Sequence, residues 1–170
     1  MTLSQILLIG AGILALATAA TYLIPSKVEV ERTAIIDADP QTILQLAASN
    51  TGYQAFNPYK ASDPNLKITH FGPESGVGSG FHFDGKEGKG SQTVAQIIGS
   101  SVIYDIDLGP MGTPTQSLTV TPTAEGTQVT WRMETDMGMN PIARVFGLFM
   151  DGMIGKTFEA GLANLAKATA

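Results

Sequence analysis

The sequence contains no cysteine. That excludes disulfides, thiolate catalysis, iron–sulfur ligation and cysteine-bound zinc, and it leaves the redox compartment unmarked. Positive charge is also short. Ten Lys and Arg stand against fifteen Asp and Glu, for a net charge of −5. No basic stripe is available to neutralise phosphates, so nucleic acid is excluded as a partner. Histidine is limited to two residues, His70 and His82. A two-histidine metal site needs both on one side with a carboxylate, and strand alternation points His82 away from Phe81 and Phe83. No metal and no cofactor is expected. No G-x-S-x-G occurs and no Ser/His/Asp order stands out. Asp105 and Asp107, paired on paper, share the polar face of a strand, where solvation is the default. Tyr59, Tyr104 and His70 are the only candidates for an acid or base whose pKa burial has shifted.

Charge is missing altogether from the first segment. "LSQILLIGAGILALATAATYLI", Leu3 to Ile24, holds no ionisable acid or base of the Asp, Glu, Lys or Arg type, and Lys27 is the first charge after the amino terminus. As a helix it would run roughly 33 Å at about 1.5 Å per residue, close to the hydrocarbon thickness of a bilayer. Gly10, Gly12 and several alanines give it a small-residue face, Tyr22 stands near one end as an interfacial aromatic would, and Pro25 stops it. The first reading is a single-pass membrane anchor, residues 1–26, with membrane contact through residues 3–24. A cleaved signal peptide and a buried soluble helix are the alternatives. Ala17-Thr18-Ala19 resembles a cleavage site, but no basic residue precedes the apolar run. A buried helix has to cover an apolar surface on every side. Lys27 and Arg32 follow the segment and nothing basic precedes it, which leans toward a cytoplasmic domain; Glu29 and Glu31 between them leave the side open.

Residues 27–170 show no repeat and no linker, and are read as one domain. Val28 to Ile36 alternates and then turns apolar, as a strand does. Asp39-Pro40 is a cap followed by a first-turn proline, opening a short helix, and Asn140-Pro141 repeats the device before a long helix that ends near Ala168. "NTGYQAFNPYKASDPN" reads as a turn with a helical turn inside it. Strands then follow at short intervals: Leu66–Phe71, Gly80–Asp84, Gly88–Ile98, Val102–Leu108, Thr115–Thr121 and Thr127–Glu134. In "VIYDIDL" Val102, Tyr104, Ile106 and Leu108 share one face. In "QVTWRME" Val129, Trp131 and Met133 do. This predicts an antiparallel meander with one buried face. The fold class is α+β: a curved sheet of about seven strands around a long C-terminal helix, with two short helices after the first strand and the N-terminal apolar helix in front. On the last helix Phe146, Met150, Met153, Thr157, Phe158, Gly161 and Leu165 are placed on one side.

"GPESGVGSGFHF", Gly72 to Phe83, invites comparison with a phosphate loop. Such a loop lies between a strand and a helix, so that backbone N–H groups at the helix start face the anion. Here the glycines lead into a strand, and no Gly-Lys-Ser/Thr follows. They are read as turn and bulge residues.

Taken together, "VERTAIIDADPQTILQLAAS", "FNPY", "DPNLKITHFGPESGVGSGFHFDG", "GKGSQTV", "GTQVTWRMETDM" and "FGLFMDGMIGKTFEAGLANLAKA" resemble the polyketide cyclase/dehydrase-like members of the SRPBCC superfamily, START-related helix-grip proteins. The resemblance spans about residues 28–168. Tyr53 and Phe56 stand where family members often carry tryptophans. A membrane helix before such a domain is similar to what some bacterial members have. The resemblance implies a hydrophobic cavity between sheet and helix, without implying a reaction. Its candidate lining is Tyr59, Phe81, Phe83, Gln92, Tyr104, Trp131, Met133, Phe146, Met150 and Met153, with Gln92 or Tyr104 orienting a polar end. The expected partner is a lipid or other apolar small molecule. A cyclase/dehydrase-type enzyme and a non-catalytic interaction module with a filled core stay open beside that reading. So does a bilayer contact or cavity gate made by "IARVFGLFM".

Overall fold

A computed structural model describes residues 2–170. The elements run α1 (Leu3–Thr21), β1 (Lys27–Ile36), α2 (Pro40–Ala47), α3 (Tyr53–Phe56), α4 (Tyr59–Ser62), β2 (Lys67–Phe71), β3 (Gly80–Gly85), β4 (Gly88–Ile98), β5 (Ser101–Asp107), β6 (Thr115–Thr123), β7 (Gly126–Asp136) and α5 (Pro141–Ala168). The strands form one antiparallel sheet in the order β1-β7-β6-β5-β4-β3-β2. From β2 to β7 each strand pairs with the next. The first strand lies beside the last, in register from Lys27↔Asp136 to Ile36↔Thr127. A register shift between Val94 and Gln96 breaks the β4–β5 ladder, and such a bulge sharpens local twist and bend.

The two helix starts foreseen from Asp-Pro and Asn-Pro are both built. The Asp39 carboxylate accepts from the backbone N–H groups of Gln41 (2.9 Å) and Thr42 (3.1 Å). The Asn140 side-chain oxygen does the same for Ile142 and Ala143. Each cap satisfies donors that the helix itself cannot.

One face of the sheet is buried and the other is wet. Val30, Val94, Val102, Tyr104, Leu118, Val120, Val129 and Trp131 are all at least nine-tenths buried, and they fall on alternating positions of their strands. Ile43, Ala47, Tyr53 and Phe56 from α2 and α3 close that face, with Phe158, Leu162 and Leu165 from α5. At about 1.5–3 kcal/mol for each large apolar side chain buried, this single layer is the main source of stability.

The glycine-rich stretch is a folded turn. Gly72, Gly76 and Gly78 all have positive φ, a conformation that costs other L-residues energy. Asn50 holds the turn shut: its side-chain amide donates to the carbonyls of Phe71 (3.3 Å) and Pro73 (3.2 Å), and its backbone N–H reaches Ser79 Oγ at 3.0 Å. The loop N–H groups are directed into the protein, as in Gly76 N–H to the Ala48 carbonyl at 2.9 Å and Gly78 N–H to the Val94 carbonyl at 2.8 Å.

Candidate functional site

Trp131 is the centre of the interior. It sits on β7, whose alternation points it inward, and it is 1% exposed. Phe158 of α5 stacks on it at 4.9 Å with 10° between the rings. Gly161, one turn on, leaves no room for a Cβ against the indole. The indole N–H donates to the side-chain carbonyl of Gln116 at 3.0 Å, so the one polar atom of Trp131 is satisfied. Tyr53 fills the other side. Its ring lies 4.6 Å from Phe56, 5.3 Å from Phe81, 5.8 Å from Tyr104 and 6.0 Å from Trp131.

The polar groups around Tyr53 and Tyr104 are few and uncharged. The Tyr104 hydroxyl donates to the Ala47 carbonyl at 2.8 Å. Burial pushes the Tyr104 phenol well above its ordinary range, and the neighbouring Tyr53 adds to this. Burial likewise raises Tyr53, with Tyr59 adding and the Gln92 amide opposing. Tyr59 on α4 is raised by burial and by the Glu87 carboxylate. All three therefore stay protonated at neutral pH and act as hydrogen-bonding hydroxyls, not as bases. Where Tyr53, Phe81, Gln92, Val94 and Tyr104 meet Asn50 and Ser79, a gap of about 10 Å³ remains, room for about one water.

The structure brings most of the expected lining together. Phe81, Gln92, Tyr104, Trp131 and Met133 are buried on the inner face. Phe83 and Met150 pack half-buried against its edge, and Tyr59 is half-buried on α4. Two placements are corrected. Phe146 and Met153 do not converge on the interior; they are 52% and 54% exposed on the outer side of α5. The face that meets the sheet is Gly147, Gly155, Phe158, Gly161, Leu162 and Leu165, rotated by roughly a fifth of a turn from the one read from bulk. The reason is close approach. A Cβ on Gly147 would press on Val28 at 2.9 Å, and one on Gly155 would enter the Arg32 guanidinium. Small residues let the helix down onto the sheet, and the larger ones are turned away. The interior is likewise filled where an open cavity was expected, because Tyr53 and Phe56 occupy it.

His70 and His82 lie on opposite faces of the sheet, since the β2–β3 register pairs His70 with Phe81 and Thr69 with His82. Asp105 and Asp107 border an open polar groove on the outer face with Ser91, Thr93 and Thr115. Asp107 also accepts from the Gly109 N–H at 2.7 Å. Sequence reasoning missed three parts of this arrangement. Tyr53 and Phe56, outside the candidate lining, fill the interior, and their i, i+3 spacing carries the signal of a shared buried face. Gln116 alternates with Leu118 toward the core, and so marked itself as a buried polar group. Arg32, alternating with Val30 and Ala34, is a charge on the inner face. It is neutralised by Asp151 (2.9 Å) and Glu159 (2.8 Å) of α5.

Comparison with known proteins fits this architecture. Residues 27–170 match the family described as polyketide cyclase / dehydrase and lipid transport. The chain belongs to that family. Among solved structures, the KanY protein superposes with a TM-score of 0.65 at 18% identity, covering 84% of this chain and 97% of its own. CV1439 from Chromobacterium violaceum gives 0.61 at 12% identity, with 84% and 97% covered. The di-domain ARO/CYC StfQ from the steffimycin biosynthetic pathway gives 0.60 at 14%, over 85% of this chain and 50% of StfQ. At these identities the likeness shows the helix-grip fold alone. No curated protein sequence matches the chain.

Proposed function

We propose that this family member is tethered to a membrane by α1 and holds a lipid or other apolar small molecule between the sheet and α5. The observation that carries the reading is the chemistry of the inner wall. Phe81, Tyr104, Trp131 and Met133 present aromatic and thioether surface, and Gln92, Gln116, Asn50, Ser79 and two protonated tyrosines supply polar contacts. A few fixed hydrogen-bonding groups in an apolar lining is the make-up of a binding pocket. The one ionised cluster on the inner face, Arg32 with Asp151 and Glu159, is closed into ion pairs, and the tyrosines are held protonated, so binding is favoured over acid–base catalysis of the cyclase/dehydrase kind.

A ligand needs more room than about 10 Å³, so uptake requires opening. The N-terminal half of α5 is the part able to lift. Before Gly155 only Gly147 is buried, whereas Phe158, Gly161, Leu162 and Leu165 fix the second half. Segments with few buried contacts open at lower free-energy cost than the core. The tether rests on α1: nineteen residues, none of them buried, with an 18-residue stretch of mean hydropathy 2.0. The filled interior favours one other reading, a non-catalytic interaction module.

Native mass spectrometry separates the two. Because α1 buries no residue, residues 27–170 hold the whole core and are the species to purify from cells without added ligand. The expected result is a co-purifying apolar molecule, identified by extraction, or uptake from a mixed lipid extract. An apo mass that stays apo in the extract overturns ligand binding and leaves the interaction module.

A further inference from the structure

The first half of α5 has a second apolar face, opposite the one that grips the sheet. Ile142 is 80% exposed, Val145 40%, Phe146 52%, Phe149 62% and Met153 54%. Their spacing puts them on one stripe of the helix. From Met137 to Met150 the only charge is Arg144, and acidic and basic residues return at Asp151 and Lys156. An apolar stripe of this kind, bounded by charge, marks a contact with something other than water.

Arg144 ties that stripe to α1. Its guanidinium, on the sheet side of α5, donates to three carbonyls: Gly138 at 2.8 Å, Tyr22 at 3.1 Å and Ile24 at 3.0 Å. It also lies over the Tyr22 ring, 5.3 Å from the centroid. Tyr22 is the C-cap residue of α1, where a helix leaves acceptors unpaired, and Ile24 lies in the short connection that follows. A backbone bond from the Met137 N–H to the Ser26 carbonyl, 2.8 Å, closes the same joint. One side chain thus finishes α1 and fixes the entry to α5, so the stripe stands beside the C-terminal end of the apolar helix. At about 1.5 Å per residue α1 is roughly 28 Å long, close to the hydrocarbon core. When α1 spans, Tyr22 lies at the interface and the stripe lies at headgroup level.

We infer that this stripe is a bilayer-docking surface: Ile142, Phe146, Phe149 and Met153 enter the headgroup–acyl boundary of the leaflet from which α1 emerges. The inference rests on the reading of α1 as an anchor. An amphipathic surface of this type gains its affinity from buried apolar area, and the tether removes most of the entropic cost of finding the membrane. The occupant is phospholipid, not a second copy of the chain, because the joint with α1 holds the stripe at the membrane whenever the anchor is inserted.

The absence of cysteine allows single-site reporters in the full chain. Leu14→Cys, Phe149→Cys and Glu125→Cys, each carrying an environment-sensitive fluorophore, are reconstituted in vesicles of phosphatidylcholine and phosphatidylglycerol. Quenching is read with iodide in the water and with nitroxides at shallow and deep acyl positions. The expected result is deep-nitroxide quenching at Leu14, shallow-nitroxide quenching with a blue-shifted emission at Phe149, and iodide quenching alone at Glu125. Iodide quenching at Phe149 equal to that at Glu125, with Leu14 still deep, overturns docking and leaves the anchor standing. Phe149 shielded from iodide and from both nitroxides assigns the stripe to a protein contact and overturns the proposal. Leu14 open to iodide removes the anchor, and the docking surface with it.

Discussion

Trp131 joins three elements: its own strand β7, the Phe158 stack from α5 and the Tyr53–Phe56 pair of α3. Nothing around it can collapse cheaply, because the facing position on the helix is Gly161. Trp131→Ala is expected to lower stability by about 3–5 kcal/mol, read as a shift of the urea midpoint. Trp131→Phe keeps an aromatic stack and strands the Gln116 carbonyl, whose burial without a partner costs about 1–3 kcal/mol. An alanine variant that unfolds within about 1 kcal/mol of the parent would mean the indole borders a void, since such a loss is too small for a packed core site. Alternation alone placed Trp131 inward. Whether it met a ligand space or another ring depended on how α3 returns over the sheet, and turn-forming residues such as Asn50 and Gly52 do not reveal that.

The strands were legible because each has one wet and one dry face, so every second residue records the fold. Helix α5 was legible in extent and cap, and not in rotation. It is apolar on two sides, and a pattern with two apolar faces does not choose between them. The choice was made by Gly147 and Gly155 against β1 and by the Arg32 bridge across them. Arg32 donates to both Asp151 carboxylate oxygens, at 2.9 and 3.1 Å, and to Glu159 at 2.8 Å. The Arg32 hydrogen bonds hold the Asp151 carboxyl below the ordinary carboxylate range. Because its folded pKa is depressed, the bridge is fully present above the unfolded value and is lost as pH falls through the folded one. Asp151→Asn is therefore expected to lower the melting temperature by a constant amount near neutral pH, and the gap to the parent should close below about pH 4. Added salt should narrow it too, since Asp151 is exposed. A gap independent of pH would show that Asp151 contributes by packing and not by charge.

Whether the closed interior opens is a property of the whole molecule, and its tyrosines report it. Of four tyrosines in the sequence, only Tyr22 precedes the domain, so residues 27–170 contain Tyr53, Tyr59 and Tyr104. Burial raises all three. The unfolded chain releases phenol protons near pH 10 while the folded chain keeps them. The stabilising contribution is thus complete below that pH and declines as pH rises. In the unliganded domain, phenolate absorbance and the change in Trp131 fluorescence are expected to coincide in one alkaline transition. A bound apolar molecule adds stability only to the folded form, about 2.7 kcal/mol at a hundredfold excess over Kd. A single-chain lysophospholipid that enters the interior should therefore move the joint transition to higher pH. One that binds only the outer stripe of α5 should move it equally in the parent and in Met133→Trp, where the interior is overfilled. Loss of the shift in Met133→Trp places the ligand inside. Phenolate appearing well before the Trp131 signal in the apo domain would mean that the sheet and α5 part without a ligand, and that the closed packing is only one of two populated forms.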